Sequence, residues 1–124
     1  MIVGAAAAGD DVPDVIRARR FDVVNEEGTT LVELKSTEGG NGAVVTSSAN
    51  GTPLVQLTST EGDTGEVITF SPNGTPLVRL TANEDGGMVK TLSSNGKTLV
   101  GLGASKYGGI ITTSSAKGTP LVTL

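Results

Sequence analysis

The sequence has no cysteine, no histidine and no tryptophan, and its 124 residues include one tyrosine and two phenylalanines. Each absence removes a class of function. Without His or Cys there is no Ser-His-Asp triad, no thiol nucleophile, no disulfide framework and no ordinary zinc site. Scarce aromatics remove the stacking platforms of single-strand nucleic-acid binders. Nine Lys and Arg against thirteen Asp and Glu, a net charge of −4, remove the basic face that phosphate backbones require, so nucleic acid is not an expected partner. The lack of cysteine leaves the redox compartment open. No long hydrophobic run is present either. Residues 1–8 (MIVGAAAA) are apolar, but they are too few to span a bilayer and follow no basic segment. They read as a tail first, as the remnant of a signal or membrane anchor second, and as a short packed segment third. Residues 10–14 (DDVPD) read as a linker or helix start, so residues 1–14 are set apart from a single domain over residues 15–124.

What is present is aliphatic and regular. Eleven Leu, 14 Val and 5 Ile, with abundant Thr, favour strands. The 18 glycines lack a three-residue period and point to frequent turns. Five related segments recur: GTTLVEL from Gly28, GTPLVQL from Gly51, GTPLVRL from Gly74, GKTLVGL from Gly96 and GTPLVTL from Gly118. Their glycines stand 23, 23, 22 and 22 residues apart. A second series at Gly42, Gly65, Gly87 and Gly109 keeps step with the first. The units are about residues 17–41, 42–64, 65–86, 87–108 and 109–124, and a fixed period of this kind signals a repeat architecture.

Each unit resolves into two short strands. The turn between them contains Asn-Gly in three units (Asn50-Gly51, Asn73-Gly74, Asn95-Gly96), which predicts a type I′ hairpin with positive φ at both residues. Pro53, Pro76 and Pro120 open the second strand, where a missing N–H is tolerated. In L-V-x-L, period-two alternation puts Val32/Leu34, Val55/Leu57, Val78/Leu80, Val100/Leu102 and Val122/Leu124 on one face. The x positions (Glu33, Gln56, Arg79, Gly101, Thr123) vary as solvent-facing positions do. Leu31, Leu54, Leu77, Leu99 and Leu121 share the side of x and line up as an outer apolar stripe, the candidate oligomer interface.

These features predict an all-β fold of five two-strand repeats in a β-prism or β-solenoid-like stack. A lone meander sheet of short aliphatic strands is marginal in water. Completion by homo-oligomerisation, with a trimer favoured, is therefore expected. The divergent segment 15–25, with Arg17, Arg19 and Arg20, suits a capping strand that carries Arg17 and Arg19 on one face, pairing with Glu26, Glu27 or the acids of 10–14. The last motif ends on Leu124 with no cap of its own, an edge that another chain or further sequence would cover.

Residues 16–28 (IRARRFDVVNEEG), followed by the G-x-x-L-V-x-L units, resemble the opening and repeats of a group of uncharacterised bacterial repeat proteins. Their pattern is R-A-R-R-F-x-L-V-D-E-x-G followed by D-G-x-P-x-L-x-L-x-D-x-x-G-x units, often behind an N-terminal hydrophobic anchor. The resemblance covers about residues 15–124. This chain departs from it in using Asn-Gly turns, and residues 1–8 are at most a fragment of an anchor. The resemblance implies a β-rich repeat at the cell envelope and no activity.

Chemistry-bearing candidates are few. Glu38, Glu61 with Asp63, and Glu84 with Asp85 fall in inter-unit loops. Neither calcium-loop spacing occurs, so they read as solvated turns, and a glycosidase-like pair would need a cleft that short loops do not offer. Tyr107 reads as a ring packed over a turn glycine. Gly101-x-Gly103 precedes no helix and is no nucleotide fingerprint. No cofactor, metal or catalytic residue is expected. The expected function is a non-enzymatic, self-associating structural module of the cell envelope or exterior, with no small-molecule ligand identified. The alternative is a module binding a carbohydrate or protein ligand through the Gly/Asp/Glu loops.

Overall fold

The computed structural model describes residues 15–124, so the expectations for residues 1–14 lie outside the described residues. The described residues form ten strands: β1 (Arg20–Val24), β2 (Thr30–Ser36), β3 (Gly42–Ser47), β4 (Pro53–Ser59), β5 (Gly65–Phe70), β6 (Pro76–Asn83), β7 (Gly86–Leu92), β8 (Thr98–Ser105), β9 (Gly108–Ser114) and β10 (Pro120–Thr123). They make one open antiparallel sheet in sequence order. Each strand pairs only with its chain neighbours, so the units are not stacked as solenoid coils. The reason is the connections. Parallel stacking of equivalent strands needs long crossovers, whereas these links are tight turns that fold each strand back on the last. Among the described residues, no helix is long and apolar enough to cross a membrane.

The Asn-Gly turns are not type I′. Gly51, Gly74 and Gly96 have φ near +80°, but the preceding Asn residues do not share it. In the turn at 48–52, Gly51 N donates to Ser48 O and Ser48 N to Thr52 O, both at 2.9 Å. This is a three-residue loop ending in a left-handed glycine, the second common hairpin form. The asparagine acts through its side chain: Asn50 Oδ1 accepts from Ser48 Oγ, and Ser48 Oγ accepts from Thr52 N at 3.2 Å. Ser71 with Asn73 and Ser93 with Asn95 repeat the arrangement. In the first unit Asn25 Oδ1 takes over the acceptor role, receiving Thr29 N at 2.8 Å. Pro53, Pro76 and Pro120 do open β4, β6 and β10, each where the register shifts.

The opposite end of the sheet explains the change in unit length. In the longer units the link is again a three-residue loop, with Thr37 N donating to Asn41 O and Thr60 N to Thr64 O. Its left-handed position is Gly40 (φ 85°) in one and Asp63 (φ 58°) in the other. In the shorter units Asn83 pairs with Gly86 and Ser105 with Gly108, leaving two-residue turns at Glu84-Asp85 and Lys106-Tyr107. The missing residue comes out of the loop, and the strand register beyond it is unchanged.

Burial is sparse. Among the described residues, Ala43, Val45 and Ile68 are the buried apolar ones, Glu66 is buried beside them, and no side chain is completely enclosed. All four point to the same side of the sheet as the x positions. Val45 pairs with Glu33 and Gln56, and Ile68 with Gln56 and Arg79. Long side chains lay their methylene stems over shorter β-branched neighbours and cover them. The Val/Leu pairs do share a face, but in this chain that face is the more exposed one. The x positions Glu33, Gln56, Arg79 and Gly101 are half-buried, against the expectation that they face solvent freely.

Candidate functional site

The most regular surface is the face opposite that polar cover. Its central row crosses every strand: Phe21, Leu34, Val44, Leu57, Val67, Leu80, Val89, Leu102, Ile111 and then Leu124. Strand pairing places successive members opposite one another from Phe21↔Leu34 to Leu102↔Ile111. Leu124 continues the row by exchanging backbone hydrogen bonds with Ile111 at 2.8 and 2.9 Å. A flanking row alternates Val and Thr, from Val23 and Val32 through Thr46, Val55, Thr69, Val78, Thr91 and Val100 to Thr113 and Val122. Neither row holds a charge. Leu34, Leu57, Leu80 and Leu102 are each 43–45% exposed, a level set by neighbours too short to overhang them. Between Phe21, Leu34, Val44 and Leu57 the surface dips into a depression of about 680 Å³.

The expected interface leucines lie on the other side, at the Asn-Gly end. Leu31, Leu54, Leu77, Leu99 and Leu121 occupy equivalent sites on β2, β4, β6, β8 and β10, so they recur on every second strand. By alternation, the same-side positions of the strands between them are Ser47, Phe70, Leu92 and Ser114. Leu54 and Leu121 are exposed, whereas Leu31, Leu77 and Leu99 are half-buried. The sequence signal for the more continuous rows was the V-x-T spacing of the odd strands (Val44/Thr46, Val67/Thr69, Val89/Thr91), which continues the Val/Leu pairs across the register.

Among the described residues, the charged groups within the strands lie on the covered face, while Arg19, just ahead of β1, borders the depression on the open one. Arg79 Nε and Nη2 reach Glu66 Oε1 at 2.7 and 2.5 Å, pairing a buried carboxylate with a partly exposed guanidinium. Arg20 pairs with Asp22 at 2.7 Å and with Glu33, and among the described residues neither Arg17 nor Arg19 pairs with Glu26 or Glu27. Glu33 also accepts from Lys35 Nζ at 2.7 Å. The hydrogen bond to Asp22 raises the Arg20 pKa further above its ordinary value, although burial opposes it. Thr81 Oγ1 is buried with no hydrogen-bond partner among the described residues.

The remaining candidates stay apart. Glu38, Glu61, Asp63, Glu84 and Asp85 are exposed on one rim, and no cluster of three metal-ligating residues occurs among the described residues. Asp63 accepts from Asn41 Nδ2 at 2.6 Å, which ties two adjacent loops together. Tyr107 does not pack over a glycine: it is 88% exposed at the tip of its turn, with Lys106 Nζ 4.8 Å from the ring centre. Gly101 and Gly103 leave β8 bare on the covered face, and neighbours lean in to fill the gap. A Cβ at Gly101 would stand 2.7 Å from Thr112 Oγ1, and one at Gly103 would stand 3.4 Å from Met88 Cγ. Beside these glycines a trough of about 230 Å³ remains, with Lys90 on its border. No protein-family model matches the chain, and no curated protein matches it.

Proposed function

We propose that the chain is a non-enzymatic structural protein that works by self-association. The observation that supports this reading is the size of the core. A described segment of ten strands buries three apolar residues and encloses no side chain fully, and a single sheet with so little burial is marginal in water. Burial missing within one chain is supplied most simply by further copies of it. A homotrimer is favoured, with three sheets forming the sides of a β-prism. The two apolar rows make a strip long across the strands and narrow along them, the proportions of a prism side. A role at the cell envelope or exterior is part of this reading, and only the resemblance of residues 16–28 and the repeats to bacterial repeat proteins supports it. The sequence offers no His or Cys for catalysis, and the exposed rim carboxylates converge on no cleft.

Sedimentation equilibrium tests the reading. The expected mass is a multiple of the 12.4 kDa chain, with three chains favoured. A well-folded species sedimenting at 12.4 kDa would overturn it.

A further inference from the structure

We infer that the face bearing Phe21, Leu57, Leu80 and Leu102 is the surface that docks on further copies of this chain, each copy turning the same face to the others. The inference rests on the self-association reading and adds the site to it.

Area supplies the first argument. The chain exposes 9009 Å². A compact monomer of its mass exposes about 6,100 Å². A segment of 14 residues can expose no more than roughly 2,000 Å², the area of a fully extended chain of that length. With that subtracted, the rest of the chain still exceeds the about 5,600 Å² expected for its size by roughly 1,400 Å². A stable pairwise interface removes about 800 Å² from each partner. The surplus is therefore large enough for an interface, and the contiguous uncharged surface is the face that can lose it.

Chemistry selects the partner. The two rows carry no charge over ten strands, so the partner must be apolar along a comparable length. It must also repeat at the strand spacing of about 4.8 Å to seat side chains between side chains. A second copy meets both demands. Its central row alternates Leu with Val or Ile, so the long side chains of one sheet can enter the spaces above the short ones of the other. The opposite face is less suited. Arg79, Glu66, Gln56 and Lys90 already cover it, and its row of leucines is broken by Ser47 on β3 and Ser114 on β9.

Two residues of nearly equal exposure in one chain separate the faces: Leu57 at 45% on the open face and Leu54 at 42% on the other. The protein has no cysteine, so Leu57→Cys and Leu54→Cys each carry a single reporter thiol. Maleimide labelling of the assembled protein is expected to be about tenfold or more slower at position 57 than at 54, because access controls thiol reactivity. Equal rates, or slower labelling at 54, would overturn the assignment. As a second arm, Leu57→Asp with Leu80→Asp is expected to lower the sedimenting mass, whereas Leu54→Asp with Leu77→Asp leaves it unchanged. The reverse pattern would overturn the assignment. A wild-type monomer would instead sink the self-association reading itself, so the two failures are distinguishable.

Discussion

The two faces of this sheet are built from the same ten strands, yet the face with more charged residues is the better covered. Val45 and Val44 are adjacent in β3 and chemically identical. Val45 stands between Glu33 and Gln56 and is buried; Val44 stands between Leu34 and Leu57 and is not. In a single layer, cover comes from the reach of the cross-strand neighbours rather than from their hydrophobicity. Long polar side chains shelter an aliphatic one by laying their stems across it. Leu and Val beside each other shelter little, and their shelter must come from another sheet.

That contrast can be broken from the covered side. The largest effect is expected for Arg79→Ala. It removes the only ion-pair partner found for the buried Glu66 among the described residues and strips one flank of Ile68. A loss of about 2–3 kcal/mol in urea unfolding is expected, discounted from a fully buried pair because Arg79 is partly exposed. A change below about 0.5 kcal/mol would show that the polar cover contributes little. Next comes Gly101→Ala, whose Cβ meets Thr112 Oγ1. It is expected to cost about 1–2 kcal/mol, while Gly103→Ala, whose Cβ meets Met88 and Gly87 O no closer than 3.4 Å, should be neutral or slightly stabilising. Equal effects at the two glycines would refute the account of how neighbours fill the bare strand. The smallest change is Thr81→Val, which removes a buried hydroxyl without a partner. Thermal unfolding should show a gain of about 1 kcal/mol, and a loss would mean that the hydroxyl is satisfied in the assembled protein.

Much of the architecture could be read from the sequence because it depends on local spacing. The ten strands, the prolines at the starts of β4, β6 and β10, and the shared face of Val55 and Leu57 all follow from alternation and turn residues. What escaped depends on pairs across strands. Asn50-Gly51 supports either a two- or a three-residue hairpin, and the choice went to the loop closed by Ser48 and Thr52, residues outside the dipeptide. Which face is covered depends on whether Gln56 lies beside Ile68, a fact of register that no single strand contains. Arg20 bonds along its own strand to Asp22 and across to Glu33 for the same reason. The tip position of Tyr107 follows from a turn one residue shorter than its counterparts in the longer units.

That one-residue economy has a mechanical meaning. Since each strand touches only its neighbours and the loops absorb the change in unit length, a unit can be gained or lost without disturbing the register of the rest. Each unit adds two strand spacings, about 10 Å, to the long dimension of the sheet. The number of repeats thus acts as a ruler, setting in whole steps how far the protein reaches.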